Sequence, residues 1–530
     1  MDLLLSVAAR VIQLFVPPRI PCAPPPVNPD GKQGPPPGVR DFRRSRPYNP
    51  VDAIARQTRA MTEVDVLKRV ALGALALGGG AALIRRLLYQ AGIGGQRRHA
   101  SQSEAEYREA KTRILILGGG FGGISTALKL DKLLKNNHDT SVLVVDRDNS
   151  TLFTPLLWPV ANGTASPNSV VVPIRAFQRN RNFHVLHAQV ERIDLEDRVV
   201  YVSGAQARPY DVLVIALGSV TQVPNLPGLR ERALLFASPA DALTLRNRLI
   251  DAIERAHRAL SAEERRAALT FVVGGGGDTG VEVAATIWDY LESGLLAEYP
   301  WLADEQPRVV VVGRSDRLVS TSPERVSRAV QRSLETKGIE VQVGSAILSV
   351  TDTAVYTSNG EIPAHTIFWA AGTSAPVIVR DLPVEKARNG AIMVDDHLRM
   401  QEYPNVYVIG DSGWAYDART GDPLPPTAQA AEQQGTYVAK LIAASLEGRD
   451  RKAYSPRSLG HLVLLGRHAG VAHIGPLTFT GLPAWLLWHA YYLSHIPSWR
   501  NRIFLLTGWL LAALTGRETS QLRLDAGRRE

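Results

Sequence analysis

The chain of 530 residues contains one cysteine, Cys22. That scarcity removes whole classes of chemistry. No disulfide can close within the chain, no cysteine cluster can hold a metal, and no redox-active cysteine pair can form. Cys22 lies in "RIPCAPPP", without the small residues of a lipidation signal, and reads as an ordinary linker residue. A zinc-type Cys/His spacing is likewise missing. Apolar runs long enough to span a bilayer are also scarce. The stretch "VALGALALGGGAALI" at 70–84 is shorter than the about 20 residues a spanning helix needs. Its three successive glycines weaken a helix. Lys68 and Arg69 on one side and Arg85 and Arg86 on the other give it no orientation. A spanning helix and a membrane-associated one both stay open for it. The net charge is +9, with basic clusters at 39–46, 85–98 and the C-terminal end. The remaining basic residues are dispersed, so nucleic acid is not the expected partner.

What is present divides into zones. Residues 1–110 form an N-terminal extension. It holds an apolar stretch, Leu3–Val16, without the basic start of a signal peptide, and a Pro-rich linker at 17–49. From 111 to 450, strand-like runs alternate with helical patterns, the α/β signature. The expected division is a first cofactor domain at 111–225 and 376–455, a second inserted at 226–375, a membrane-anchoring region at 456–520 and a basic tail at 521–530.

Two glycine fingerprints anchor that division. "RILILGGGFGGISTALKL" reads as a strand, then Gly118-x-Gly120-x-x-Gly123 with Phe121 and Gly122 inside it, then a helix. The first glycine permits the turn, the second lets backbone approach a pyrophosphate, and the third lets helix and strand pack. The strand "SVLVVD" follows and ends in Asp146, where a ribose-binding acid is needed, with Arg147 next to it. "LTFVVGGGGDTGVEVAA" repeats the pattern with Gly275, Gly277, Thr279 and Gly280. Two fingerprints imply two dinucleotides, and the economical pair is FAD with a nicotinamide cofactor. The strands "YDVLVIALGS" and "HTIFWAAGT" end near Gly218 and Gly372 and suit crossings between the two domains. "PNVYVIGDSGWA" ends a strand at Gly410 and Asp411, placed to reach a flavin's ribityl chain.

Near the C-terminus, Leu482 to Trp499 carries no Asp, Glu, Lys or Arg, and Trp485, Trp488 and Tyr492 recur on one helical face. Pro497 ends that helix, and Arg500 and Arg502 precede a second apolar stretch, Ile503–Leu514. Helices at 482–496 and 503–515, lying in the plane of a membrane surface, are expected. The competing reading is two helices buried in a core or a dimer interface.

Taken with these features, the chain resembles the type II (non-proton-pumping) NADH dehydrogenases, flavoproteins that pass electrons from NADH through FAD to a quinone. The resemblance rests on "VVDRDNSTLFTPLLWPVANGTASPNSVVVPIR", "GGGGDTGVEVAA", "TAQAAEQQGTYVAKLI" and "GHLVLLGRHAGVAHIG", and it spans 111–518. It implies two Rossmann-like domains with a C-terminal amphipathic helical anchor. It places Asp146 on the FAD ribose, Pro155 and Leu156 beside the flavin, and Asp411 on the ribityl or phosphate region. Glu282 falls near the nicotinamide and flavin. Ala428 and Gln429 are assigned to the flavin, and Gln429, Gln433 and Gln434 to the quinone, with Gln433 matching the near-flavin glutamine best. A membrane quinone, a membrane surface on the cytoplasmic side and a homodimer are the implied partners. The single cysteine sets the chain apart from the disulfide-reductase and sulfide:quinone branches. Asp278 departs from the resemblance, which has proline there.

One further departure bears on the substrate. The strand "VVVVGRSDR" ends in Gly313, Arg314 and Ser315, where NADH-selective relatives usually carry a glutamate at the first of these. Without that carboxylate a 2′-phosphate is not repelled, and Arg314 and Ser315 can bind one. Tolerance of or preference for NADPH is expected. The competing reading has Asp316 hold the ribose, with NADH favoured. Two alternatives for the whole chain are a soluble FAD-dependent reductase with another acceptor and a catalytically silent flavin-bound sensor.

Overall fold

In the first unit, apolar strands are threaded through helices. β1 (Thr112–Leu117) is enclosed from Ile114 to Leu117, as a strand covered on both faces should be. It leads through α1 (Phe121–Leu133) to β2 (Thr140–Asp146), and β3 (His184–His187) and β4 (Val212–Ile215) follow. The computed structural model describes residues 104–522 except 180, 205, 206 and 458. Cys22, the linker and the 70–84 stretch lie outside the described residues. All described residues belong to one compact body within 99–530, whose two parallel-sheet parts are the first and second units.

Between β2 and β3 lies α2 (Leu157–Ala161), and between β3 and β4 a three-stranded antiparallel meander at 190–209. The chain next leaves through α3 (Pro239–Arg258), which opens with a reciprocal capping box between Ser238 and Asp241. It then builds a second parallel sheet from β5 (Thr270–Gly274), β6 (Arg308–Gly313), β7 (Glu340–Val343) and β8 (Thr366–Trp369), in the order β7-β6-β5-β8. The helices of this unit are α4 (Asp278–Tyr290) and α5 (Glu324–Thr336). A short antiparallel pair, Val220–Thr221 with Thr373–Ser374, joins the two crossings. The chain then returns to the first sheet, where β9 (Val406–Val408) pairs with β4 and completes the order β9-β4-β1-β2-β3.

α6 (Ala428–Leu446) packs across α1. A Cβ on Gly435 would lie 2.3 Å from the Gly122 carbonyl oxygen. Glycine therefore sets the closeness of these two helices.

The C-terminal region is an antiparallel sheet, β10 (His461–Leu464), β11 (Gly470–Ile474) and β12 (Leu477–Thr480), followed by α7 (Leu482–His495) and α8 (Trp499–Thr515). Here the structure differs from the expectation in two respects. The aromatic face of α7 turns inward: Trp488 is buried, and Trp485 and Tyr492 pack against the same core as α3, α4 and β6. Rings of that size bury more apolar area against a core than at a surface. α8 also begins at Trp499, because the Ser498 hydroxyl accepts the Asn501 N–H. Arg500 and Arg502 therefore sit in its first turn. Asn501 is buried and donates to the carbonyls of Asn168, Ser169 and Val171 at 2.8–3.2 Å. That anchor leaves Ile503, Phe504, Leu506, Leu510, Leu511 and Leu514 exposed. Among the described residues, no helix is long and apolar enough to cross a membrane.

Candidate functional site

The two fingerprint turns are built alike. Gly118 has φ +103, and a Cβ there would strike the Ala216 carbonyl oxygen at 2.2 Å. Gly275 has φ +136 and would strike that of Ala370 at 2.7 Å. Gly123 and Gly280 leave no room either: a Cβ on each would stand 1.8 Å from the carbonyl oxygen of Gly118 and Gly275, respectively. The middle glycines are the opposite case. A Cβ on Gly120 or Gly277 meets nothing within 4 Å. Each is also the N-cap of its helix and offers no side-chain cap. By contrast, α3 and α6 are capped by Ser238 and Thr427. The uncapped N–H groups of α1 and α4 thus face open space, as a pyrophosphate requires.

Asp146, at the end of β2, accepts the Gly119 N–H at 2.5 Å and the Asp148 N–H at 2.7 Å. Burial pushes its carboxyl above the usual range, and those backbone donors oppose the rise. Arg147 is exposed beside it. Phe121, the first residue of α1, meets Phe153 edge-on at 5.3 Å, just ahead of Pro155 and the buried Leu156.

A second wall comes from the return strand. Gly410 has φ +64, and Asp411 follows, accepting the Ser219 hydroxyl at 2.7 Å. Burial raises this carboxyl, and the Ser219 hydroxyl opposes the rise. A desolvated acid beside a cleft suits a polyol such as the ribityl chain. The Ser412 hydroxyl donates to the Gly218 carbonyl, and the Gln222 N–H to that of Gly372, so both predicted crossing glycines sit at this junction. The cleft is lined by Gly410, Asp411, Pro425, Pro426, Thr427, Ala430 and Gln434. The residues present fit FAD on the first unit and a nicotinamide dinucleotide on the second.

The three glutamines of α6 separate. Gln434 is buried, and its side-chain oxygen accepts the Gly410 N–H at 2.6 Å. Gln433 instead clasps the Arg457 backbone, donating to its carbonyl and accepting its N–H. Gln434 thus lines the cleft beside Gly410, while Gln433 faces Arg457; successive residues on a helix point about 100° apart. Gln429, after Ala428 at the helix start, lies beside the Tyr491 hydroxyl of α7.

On the second unit, β6 ends in Gly313, where a Cβ would meet only Gly276 backbone at 3.4 Å. Arg314, Ser315 and Asp316 are exposed, and Thr279 is exposed at the start of α4. Glu282 lies one turn along α4. Its Oε1 accepts the Leu464 N–H at 3.0 Å, and the Trp158 indole lies beside its carboxyl and opposes the rise in its pKa. Glu282 keeps part of its surface open, yet desolvation by its surroundings pushes the carboxyl well above the usual range, with the nearby Asp278 adding to the rise. Sequence reasoning did not find Trp158, which stacks on Phe236 at 4.2 Å. It also missed Tyr492, which meets Phe153 at 6.1 Å. These partners are remote in sequence, and no local pattern signals them.

The model of the "Pyridine nucleotide-disulphide oxidoreductase" family matches residues 112–435, and that of the "NDH2 C-terminal domain" matches 459–518. The type II NADH:quinone oxidoreductase Ndh of Mycobacterium tuberculosis is 31% identical over 421 residues, covering 76% of this chain and 89% of that one. The mitochondrial external alternative NAD(P)H-ubiquinone oxidoreductase B4 of Arabidopsis thaliana is 24% identical, covering 78% and 89%. The fold matches the structure of NDH2 from Plasmodium falciparum in complex with NADH, with a TM-score of 0.70 and 21% identity over 77% of this chain and all of that one. The chain is an oxidoreductase that belongs to the pyridine nucleotide-disulphide oxidoreductase family and, within it, to the type II NADH:quinone oxidoreductases.

Proposed function

We propose that this enzyme oxidises NADH and NADPH at the second fingerprint and reduces a quinone reached from a membrane surface, without pumping protons. The observation that carries this reading is Glu282. It projects from the nucleotide helix α4, lies beside Trp158 of the first unit, and accepts the Leu464 N–H of the C-terminal sheet. One side chain thus touches all three regions that such a transfer needs.

When bound, FAD would supply the two-electron chemistry that links a nicotinamide dinucleotide to a quinone. The chain's own residues orient and enclose. Asp146 and Asp411 are poised to accept hydroxyl hydrogen bonds, because a carboxylate has about four acceptor positions and Gly119, Asp148 and Ser219 leave some of them open. Glu282, whose carboxyl desolvation pushes well above the usual range, takes up a proton more readily than a free carboxylate and can then donate a hydrogen bond into the cleft. Phe121, Phe153 and Tyr492 form an aromatic wall that excludes water. Gln434 fixes the Gly410 turn, while Gln429 and Tyr491 join α6 to the C-terminal helices on the quinone side.

Arg314 and Ser315, with no carboxylate at Gly313, favour acceptance of a 2′-phosphate. The exposed apolar face of α8, with Arg500 and Arg502 at its first turn, favours monotopic contact with an anionic membrane. Quinone-dependent turnover with NADH and NADPH tests the reading, and flotation with anionic vesicles tests the membrane contact. Turnover that requires a protein acceptor instead would overturn the quinone assignment.

A further inference from the structure

Asp278 is the residue of the second fingerprint that fits least with a phosphate site. It occupies the first position of α4, directly after the open Gly277. The first turn of α1, on the other fingerprint, carries no acid. A carboxylate there suits the helix dipole but repels a pyrophosphate drawn to the same N–H groups.

The C-terminal sheet answers that charge. His461 of β10 places Nε2 3.0 Å from Asp278 Oδ1. Its Nδ1 stands 3.1 Å from the Ser322 hydroxyl. Ser322 belongs to the loop that leaves β6 through Arg314 and Ser315. Its N–H bonds the Val319 carbonyl, and the Val319 N–H bonds the Gly276 carbonyl at 2.7 Å. Val319 holds φ +41, a strained conformation for a β-branched residue. The glycine turn, the ribose-side loop and the C-terminal strand therefore close one circuit, with His461 as the link.

We propose that His461 is a positioning residue for the nicotinamide dinucleotide: protonated, it balances Asp278 and admits the pyrophosphate, and deprotonated, it leaves a negative charge at the helix start that weakens binding. This rests on the reading that the second fingerprint holds that substrate. Burial alone would push the imidazole down, but the Asp278 hydrogen bond and charge outweigh it and hold the imidazole above its usual value. The other groups around it are accounted for. Glu282 on α4 is engaged by Leu464 and Trp158. His473, opposite on β11, contacts Arg325 of α5 at 3.2 Å. On α7, His489 is held neutral by burial, at about 4, and Tyr492 is pushed upward by burial.

The sign follows. Below the His461 value the pair is neutral, and as pH rises through it the site gains a negative charge. Calorimetric titration of NAD+ into the oxidised, FAD-loaded full chain reads binding without turnover, and NAD+ has no 2′-phosphate to titrate. Across a pH series bracketing the histidine range, the wild-type Kd should rise about two- to fivefold. Asp278→Asn should bind tightly at every pH, and His461→Gln weakly at every pH. The double variant should return to tight binding, a rescue that a merely structural role of His461 does not produce. A pH dependence shared unchanged by wild type and Asp278→Asn, or a double variant as weak as His461→Gln, would overturn the proposal while leaving the substrate site intact. Failure of the wild type to bind NAD+ at any pH would overturn the substrate assignment itself and this proposal with it. Should His461→Gln not fold, wild type against Asp278→Asn still decides.

Discussion

The side-chain oxygen of Gln434 accepts the backbone N–H of Gly410 at 2.6 Å. A buried glutamine on the long helix α6 thereby fixes the left-handed turn that presents Asp411. Polar groups from remote segments meet in the same way throughout the cleft, and their spacing sets what each variant should do.

The two kinds of fingerprint glycine predict two kinds of failure. Gly280→Ala drives a Cβ to within 1.8 Å of a backbone oxygen and should destabilise the fold by about 1–3 kcal/mol or more. Gly277→Ala enters open space, so it should cost on the order of 0.5–1 kcal/mol through the weaker cap, while the KM for NADH rises. Thermal unfolding and steady-state kinetics on both variants check this. Equal stability loss in the two would contradict it.

Glu282 predicts a pH effect on stability. Its carboxyl is raised in the folded chain, mainly by desolvation, above the ordinary 4.5. Folding therefore favours the protonated form, and stability is lost as pH rises from that ordinary value through the folded one. Glu282→Gln removes the loss. Its unfolding midpoint should exceed that of the wild type increasingly with pH, with the gap levelling above the folded value. A gap independent of pH would show that the Glu282 carboxyl is not raised in the folded chain.

The parallel sheets and both glycine turns were legible because strand, turn and helix are contiguous and each glycine has a local reason. The partners of Glu282 and Asp278 were not. Trp158, Leu464 and His461 come from other regions of the chain, and the fold alone brings them together. The C-terminal aromatic stripe was legible as a helix face, but periodicity does not say whether a face meets core or lipid. Trp488 turned out to be core, and the exposed apolar face belongs to α8. The start of α8 at Trp499 follows from the Ser498 cap, a signal the apolar count alone passed over.

Cofactor choice should be movable at the end of β6. Gly313 has room for a Cβ, which would meet only Gly276 backbone at 3.4 Å. Glutamate at that position can accept ribose hydroxyls and repel a 2′-phosphate. Gly313→Glu combined with Arg314→Ala should shift kcat/KM toward NADH by about tenfold, one charge-assisted contact's worth. An unchanged NADPH/NADH ratio would place the ribose elsewhere.

Membrane contact should depend on α8 and not on the aromatic residues of α7. Leu510 and Leu514 are exposed, while Leu505 and Asn501 hold the helix to the core. Changing Leu510 and Leu514 to Gln should leave unfolding unaltered and lower partitioning onto anionic vesicles by at least about tenfold. Undiminished flotation would assign the contact to another surface.

The most direct test measures NADH and NADPH oxidation by the FAD-loaded full chain, with and without a short-chain quinone. The expected result is oxidation of both nucleotides that rises with quinone concentration and produces one quinol per nucleotide consumed. Oxidation that is indifferent to quinone would contradict electron transfer from a nicotinamide dinucleotide to a quinone in this enzyme.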